Sequence, residues 1–250
     1  MKRNSNLPKY FDNITDATNL NRSIGASAVI APEFLMKSSF ILSQCTFAQS
    51  CLQTIVYTSH GDQIINAKRS LKKFPNPKSR FDFLCDFPYV DDDTIIDKVF
   101  QFARTLFREI YEFRNVLAHE NWSSSQQFPN AVLFTSLDEE SRLSIASGSL
   151  WFLEETTPQQ IFDATIRFIR NVKVVTLDHI DAAIRDVELC SWTLMNINNV
   201  LNEDDAQLKE EARNAFLVFR GTSHLFDNPA TDDATANYLS SRGKTIRLTN

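Results

Sequence analysis

The sequence predicts a mainly α-helical protein with a small β insertion, and three observations carry that expectation. Glycine is scarce, with 5 residues in 250, while phenylalanine is abundant, with 20. Few glycines leave little material for repeated tight turns, which disfavours a many-stranded barrel or sandwich. Apolar residues recur at threes and fours over long stretches, the period of a buried helix face. One region, residues 129–155, changes character to short apolar runs separated by turn residues.

The elements follow in order. Residues 1–31 are polar, rich in Asn and Ser, and read as a loose segment. Pro32 opens a helix in which Phe34, Leu35, Ile41, Leu42, Cys45, Ala48, Leu52, Ile55 and Val56 keep helical spacing. His60-Gly61-Asp62 closes it, and Asp62 can cap a shorter helix ending near Phe74. Pro75-Asn76-Pro77 breaks that helix, and a short segment from Ser79 to Phe87 follows. Asp91-Asp92-Asp93 places acidic caps where the helix dipole favours them, so a strong helix is expected through His119.

Within 129–155, residues 131–134, 142–145 and 150–153 read as three short strands, or as a hairpin with an extra strand. Asp138-Glu139-Glu140-Ser141 and Ser147-Gly148-Ser149 supply the turns. Thr157-Pro158-Gln159-Gln160 matches a capping box with proline in the first turn. The helix it starts is expected to reach Leu201, kinked where β-branched residues cluster between Val174 and Leu177. A last helix begins at Asn202-Glu203-Asp204-Asp205 within 202–226, with Gly221 as its stop. The tail, 227–250, is polar and read as disordered. The whole pattern is that of an antiparallel helical bundle over residues 32–201.

Hydrophobic content of 43% and charged content of 23% are ordinary for a folded soluble chain, and the length allows a substantial core. A formal charge of −5 excludes general attraction to nucleic acid, so any phosphate contact has to be local. Cys45, Cys51, Cys85 and Cys190 form no Cys-x2-Cys pair, and no histidines share metal-ligand spacing. No metal, cofactor or disulfide framework is therefore expected. Met1-Lys2-Arg3-Asn4-Ser5 has no apolar run behind it, which makes a cytoplasmic location the expectation. Residues 38–60 carry no Asp, Glu, Lys or Arg and are long enough for a membrane span. Gln44, Gln49 and Gln53 interrupt them at a cost that hydrocarbon would not repay. A helix buried in a bundle or at a subunit contact fits better, and Phe40, Phe47 and Tyr57 offer apolar surface for such a contact.

The chemistry centres on Arg114-Asn115-Val116-Leu117-Ala118-His119. On the preceding helix, Ile96, Val99, Ala103, Leu106, Phe107, Ile110 and Leu117 share one wide apolar stripe, and Arg114 falls in its middle. An ionised guanidinium on a core-facing line is costly unless paired and hydrogen-bonded. Either it forms a buried structural salt bridge or it has been placed for function. His119 lies about 140° around a regular helix from Arg114, at about 100° per residue. The two are therefore expected to converge only past the last regular turn, or through a second subunit. Asn115, four residues before His119, lies on nearly the same side.

The stretch from Glu112 to Trp122 resembles the signature of the HEPN superfamily: an arginine, four to six residues, then a histidine, often with a polar residue directly after the arginine. The match is Arg114, Asn115 and His119 at the end of a long amphipathic helix, with the aromatic Trp122 soon after. The resemblance covers roughly residues 32–200. Many such proteins are metal-independent endoribonucleases acting as dimers, with two copies of the motif lining one composite cleft. It implies His119 as general acid or base, Arg114 as phosphate clamp and Asn115 as orienting or phosphate-binding group. It also implies an RNA substrate, a homodimer, a toxin or antiviral defence setting, and an antitoxin or partner protein in restraint. Some members carry a tyrosine two residues after the histidine as a modification target; Asn121 stands there, which gives that subtype no support. Glu109 and Glu112 are the candidates for an assisting upstream acid.

Lys68, Arg69, Lys72 and Lys73, with Lys78 and Arg80 close behind, lie in a run without an acid. At helical spacing they form a cationic face, either simply solvated or a track for RNA backbone. The rival to a nuclease is a non-catalytic binding module on the same bundle, with Arg114 and His119 serving structure or partner recognition. A third reading is a regulatory subunit acting through the bundle surface.

Overall fold

The computed structural model describes residues 10–14, 25–26, 32–59, 76–87, 93–125, 128–138, 157–219 and 221–226. Among them, the helices are α1 (Pro32–Ser59), α2 (Pro77–Asp86), α3 (Thr94–His119), α4 (Pro158–Asn171), α5 (Leu177–Leu201) and α6 (Ala206–Val218). A 3-10 turn follows at Ser223–Leu225. The strands are β1 (Asp12–Asn13), β2 (Gly25–Ala26), β3 (Asn121–Ser124), β4 (Ala131–Thr135) and β5 (Lys173–Thr176). The expected mainly helical class with a small β component is what forms. The chain divides into two compact units, residues 1–43 with 109–186 and residues 44–108 with 187–250; the chain passes between them within α1, α3 and α5.

The first unit holds the sheet. Its strand order is β1-β5-β4-β3-β2, and every neighbouring pair is antiparallel. β3 and β4 form a hairpin with Trp122 opposite Phe134, and β4 pairs with β5 with Leu133 opposite Val174. Leu133, Val174, Ile169, Val172 and Ile14 pack together beneath it. Phe34 of α1 sets its ring edge-on to Trp122, at 5.5 Å between centroids, and Trp122 meets Phe134 at 5.0 Å, the geometry aromatic quadrupoles prefer.

Three expectations for this region need correction. The stretch 1–31, read as loose, supplies β1 and β2. Tyr10 and Ile14, which flank β1, are buried, and the Tyr10 hydroxyl donates to Asp186 Oδ2 at 2.9 Å. A two-residue strand shows no alternation in sequence; it forms because a neighbouring strand offers unpaired main-chain groups. The helix expected from Thr157 to Leu201 is two helices with β5 between them. Val172, Val174 and Val175 are buried there, so the β-branched cluster marks a strand rather than a kink. The strands, finally, do not all come from 129–155: β4 does, but β3 precedes it and β5 follows. Residues 142–145 and 150–153 lie outside the described residues.

The local helix signals hold. Thr157 caps α4, with its Oγ1 accepting from the Gln160 amide at 3.3 Å while Gln160 Oε1 accepts from the Thr157 amide at 2.7 Å. Thr176 plays the same part for α5. Its Oγ1 accepts from the His179 amide at 3.4 Å, and its own N–H donates to His179 Nδ1 at 3.2 Å. Lys37 of α1 bridges Glu33 one turn earlier, at 2.8 Å, and Asp181 of α5, at 2.7 Å.

Among its described residues, the second unit is helical. Asn76 caps α2 by accepting from the Ser79 amide at 2.7 Å, and Pro77 sits in the first turn. Asp93 Oδ1 accepts from the Ile95 amide at 2.8 Å to open α3, as expected of the acidic run, and its other oxygen pairs with Arg213 of α6. Asp205 caps α6 through the Gln207 and Leu208 amides at 2.9 and 3.1 Å. Ile55, Val56, Phe100, Phe107, Leu194, Ile197 and Phe216 are fully buried. Trp192 stacks on Phe219 at 3.9 Å. The four cysteines are free thiols, all buried, and burial pushes the Cys85 thiol up to about 11. No helix among the described residues is long and apolar enough to cross a membrane. The helix expected to end near Phe74 and the tail beyond 226 lie outside the described residues.

Candidate functional site

The site lies at the C-terminal end of α3, inside the first unit. Val116 and Leu117 are buried and fix the rotation of the last two turns, while Ala118 and His119 are exposed. The helix end is held from both sides of His119. The Glu120 amide donates to the Val116 carbonyl at 3.2 Å, which completes the turn, and the Trp122 indole N–H donates to the Leu117 carbonyl at 3.2 Å. Trp122 thus satisfies one of the carbonyls a helix leaves unpaired, and its ring is locked between Phe34 and Phe134. The Glu120 carboxylate pairs with Lys173 of β5, whose ammonium also lies 5.8 Å above the Phe11 ring. The second oxygen of Glu120 is buried without a partner among the described residues.

On this end the three expected residues meet. Arg114 Nη1 donates to Asn115 Oδ1 at 3.1 Å and lies 3.2 Å from His119 Nε2. The guanidinium carbon stands 5.7 Å from the Tyr111 ring centroid. All these contacts lie within one chain. Of the two routes expected for their convergence, past the last regular turn or through a second subunit, neither is needed for this contact: His119 is the last residue of α3 and the two side chains meet within one chain. The expectation treated side chains as radial vectors, whereas arginine has a long stem that runs along the helix surface and covers the angular gap.

Arg114 itself is half-buried, while Ile96, Val99, Ala103, Leu106, Phe107, Ile110 and Leu117 of the same stripe are buried. Among the described residues no carboxylate pairs with it. The partners of Arg114 and His119 include neither Glu109, which is half-buried, nor Glu112, which is exposed. Lys68, Arg69, Lys72 and Lys73 lie outside the described residues; Lys78 and Arg80 are exposed on α2.

The cluster's chemistry follows from its atoms. A guanidinium only donates, so the His119 Nε2 it faces has to accept, and the neutral ring then carries its proton on Nδ1. Both hydrogens of Nη1 are committed, to Asn115 and His119. Nε and Nη2 have no hydrogen-bond partner among the described residues, and they form the parallel donor pair that suits a carboxylate or phosphate. The arrangement offers a fixed cation beside an exposed proton-transfer group.

Two contributors escaped sequence reading. Tyr111 lies three residues before Arg114, a spacing that alone indicates a shared face. Lys173, paired with Glu120 from a different strand, carries no local signal at all. No known family model, no curated protein and no solved structure matches the chain.

Proposed function

We propose that this chain is a metal-independent endoribonuclease of the HEPN type, acting in the cytoplasm as a toxin or antiviral defence effector. The observation that carries the reading is the hydrogen-bonded set of Arg114, Asn115 and His119 on the exposed end of α3. Cleavage of RNA by its own 2′-hydroxyl needs a proton removed from that oxygen, a proton given to the departing 5′-oxygen, and a cation for the phosphate charge. His119 supplies the proton transfer and Arg114 supplies the cation. The attack forms the bond from the 2′-oxygen to phosphorus and breaks the bond to the 5′-oxygen. A 2′,3′-cyclic phosphate and a 5′-hydroxyl result.

The HEPN-like bundle, the homodimer and a restraining partner protein belong to the same proposal and rest on the sequence resemblance. Exposed Met36, Phe40 and Phe47 on α1 support a subunit contact, though Tyr57, expected to join them, is half-buried and accepts a hydrogen bond from Gln53. A site shared between subunits no longer follows from geometry, because one chain brings the arginine and histidine together. The direct test is incubation of purified wild type and H119A with total RNA in EDTA. Fragmentation by the wild type alone supports the reading; intact RNA with both sinks it.

A further inference from the structure

We infer that Arg114 divides its guanidinium between two tasks: Nη1 fixes His119 as the Nδ1–H tautomer, while the Nε–Nη2 edge is kept open for one oxyanion. The anion part rests on the reading of Arg114 as a phosphate-holding group; the tautomer part does not.

Nη1 has two hydrogens and two acceptors, Asn115 Oδ1 at 3.1 Å and His119 Nε2 at 3.2 Å. Asn115 was expected to orient the imidazole or to touch phosphate. Its side-chain oxygen instead holds Arg114, and Arg114 holds the ring, so Asn115 acts on His119 through a second residue. A charged donor outcompetes water for a ring nitrogen more effectively than a neutral one does. With the guanidinium in place, Nε2 accepts and the other ring nitrogen is Nδ1–H. An imidazole without such a neighbour favours the opposite tautomer, with the proton on Nε2.

The chemical consequence concerns which nitrogen meets substrate. Nε2 is occupied, so a reacting group approaches Nδ1, and proton exchange with substrate runs through that atom. The remaining N–H groups of Arg114, on Nε and Nη2, lie in the plane of the guanidinium on its other side, where a phosphate can bind with two parallel hydrogen bonds without displacing Nη1. Anion binding and ring orientation are therefore compatible in one arginine. A lysine, with one nitrogen, cannot reproduce both.

The test is nitrogen-15 NMR of histidine- and arginine-labelled full-length protein, with the His119 signals assigned by their loss in H119Q. The spectra are taken at a pH where the ring is neutral by its own shifts. We expect predominantly Nδ1–H in the wild type and predominantly Nε2–H in R114Q. N115A, which leaves the charge but frees the guanidinium, moves the population part of the way. Should R114Q fail to fold, N115A carries the same comparison. Inorganic phosphate should perturb the Arg114 Nε–H signal while leaving the tautomer as it was. An Nε2–H wild type, or a tautomer indifferent to both variants, overturns the assignment. A change to Nε2–H on adding phosphate shows the anion and His119 competing for Nη1 and overturns the division of edges, as does an Arg114 signal that phosphate never moves. No RNA enters these measurements. A protein that cuts no RNA but shows the expected tautomers sinks the ribonuclease reading alone, and an active nuclease with an Nε2–H wild type sinks this inference alone.

Discussion

Arg114 and His119 stand five residues apart on one helix, and the guanidinium of the first lies 3.2 Å from the imidazole of the second. That contact brings the two residues together within one chain. Under the proposed activity, R114Q and H119A should each lower RNA cleavage by about two to four orders of magnitude, the usual worth of a positioned proton-transfer or charge-stabilising group. Helical circular dichroism should not change. Cleavage lost only together with helix signal would assign both residues to structure.

Mixing the two inactive variants separates a site in one chain from a shared one. In a mixed form of the proposed dimer, one subunit offers His119 without Arg114 and the other Arg114 without His119. Since the structure pairs these residues within a chain, we expect no recovery when R114Q and H119A are co-expressed. Recovery toward about a quarter of the wild-type rate, from one intact site in each of the mixed dimers that form about half of a random population, would show that the working site draws one residue from each subunit.

The chelator experiment addresses mechanism. Cleavage should persist in EDTA, with products ending in cyclic or 3′-phosphate as the 2′-hydroxyl route requires. Strict dependence on magnesium, or 5′-phosphate products, would exclude that route.

The Trp122 indole supports the end of α3, with its N–H on the Leu117 carbonyl and its ring between Phe34 and Phe134. W122F keeps most of the packing and removes the hydrogen bond, so a loss of about 1 kcal/mol is expected. W122A removes both and should cost on the order of 3 kcal/mol. Chemical denaturation measures each. Equal small losses for both would mean that the aromatic contacts carry little.

Asp186 provides the pH-dependent case. Burial holds its carboxyl above the usual range, and the hydrogen bond from Tyr10 only partly opposes that. A raised carboxyl destabilises the fold once ionised, so the native state is favoured below the ordinary aspartate range and loses that advantage as pH rises through the raised value. D186N keeps an acceptor for Tyr10 without the charge. Its Tm should exceed that of the wild type at neutral pH, with the gain shrinking as pH falls toward about 4, near the reference value for aspartate. Y10F should lower Tm at neutral pH, because a half-buried carboxylate then loses a donor. A D186N gain that is constant across pH would refute the charge argument.

Sequence alone determined the features that depend on neighbours in the chain. Asp93, Thr157 and Asp205 open their helices because a side-chain oxygen reaches an amide two or three residues on, a distance set by local geometry. The apolar stripe from Ile96 to Leu117 is buried because helical periodicity places those residues on one side whatever lies opposite. The identity of Arg114, Asn115 and His119 as a candidate site was likewise legible in six consecutive residues.

What tertiary structure decided was pairing over distance. β1 and β2 exist only because β5 and β3 present main-chain groups to them, and the helix expected to run through Val174 gives way because those β-branched residues find a sheet to pack in. Tyr10 meets Asp186 across 176 residues, and Lys173 meets Glu120 across 53. The convergence of Arg114 and His119 lies between these cases. Its residues are local, but where a long, flexible side chain settles depends on helix termination, on the Tyr111 ring and on the Asn115 oxygen together. Angular position along the backbone does not contain that information, because each rotamer choice depends on contacts that exist only once the chain has folded.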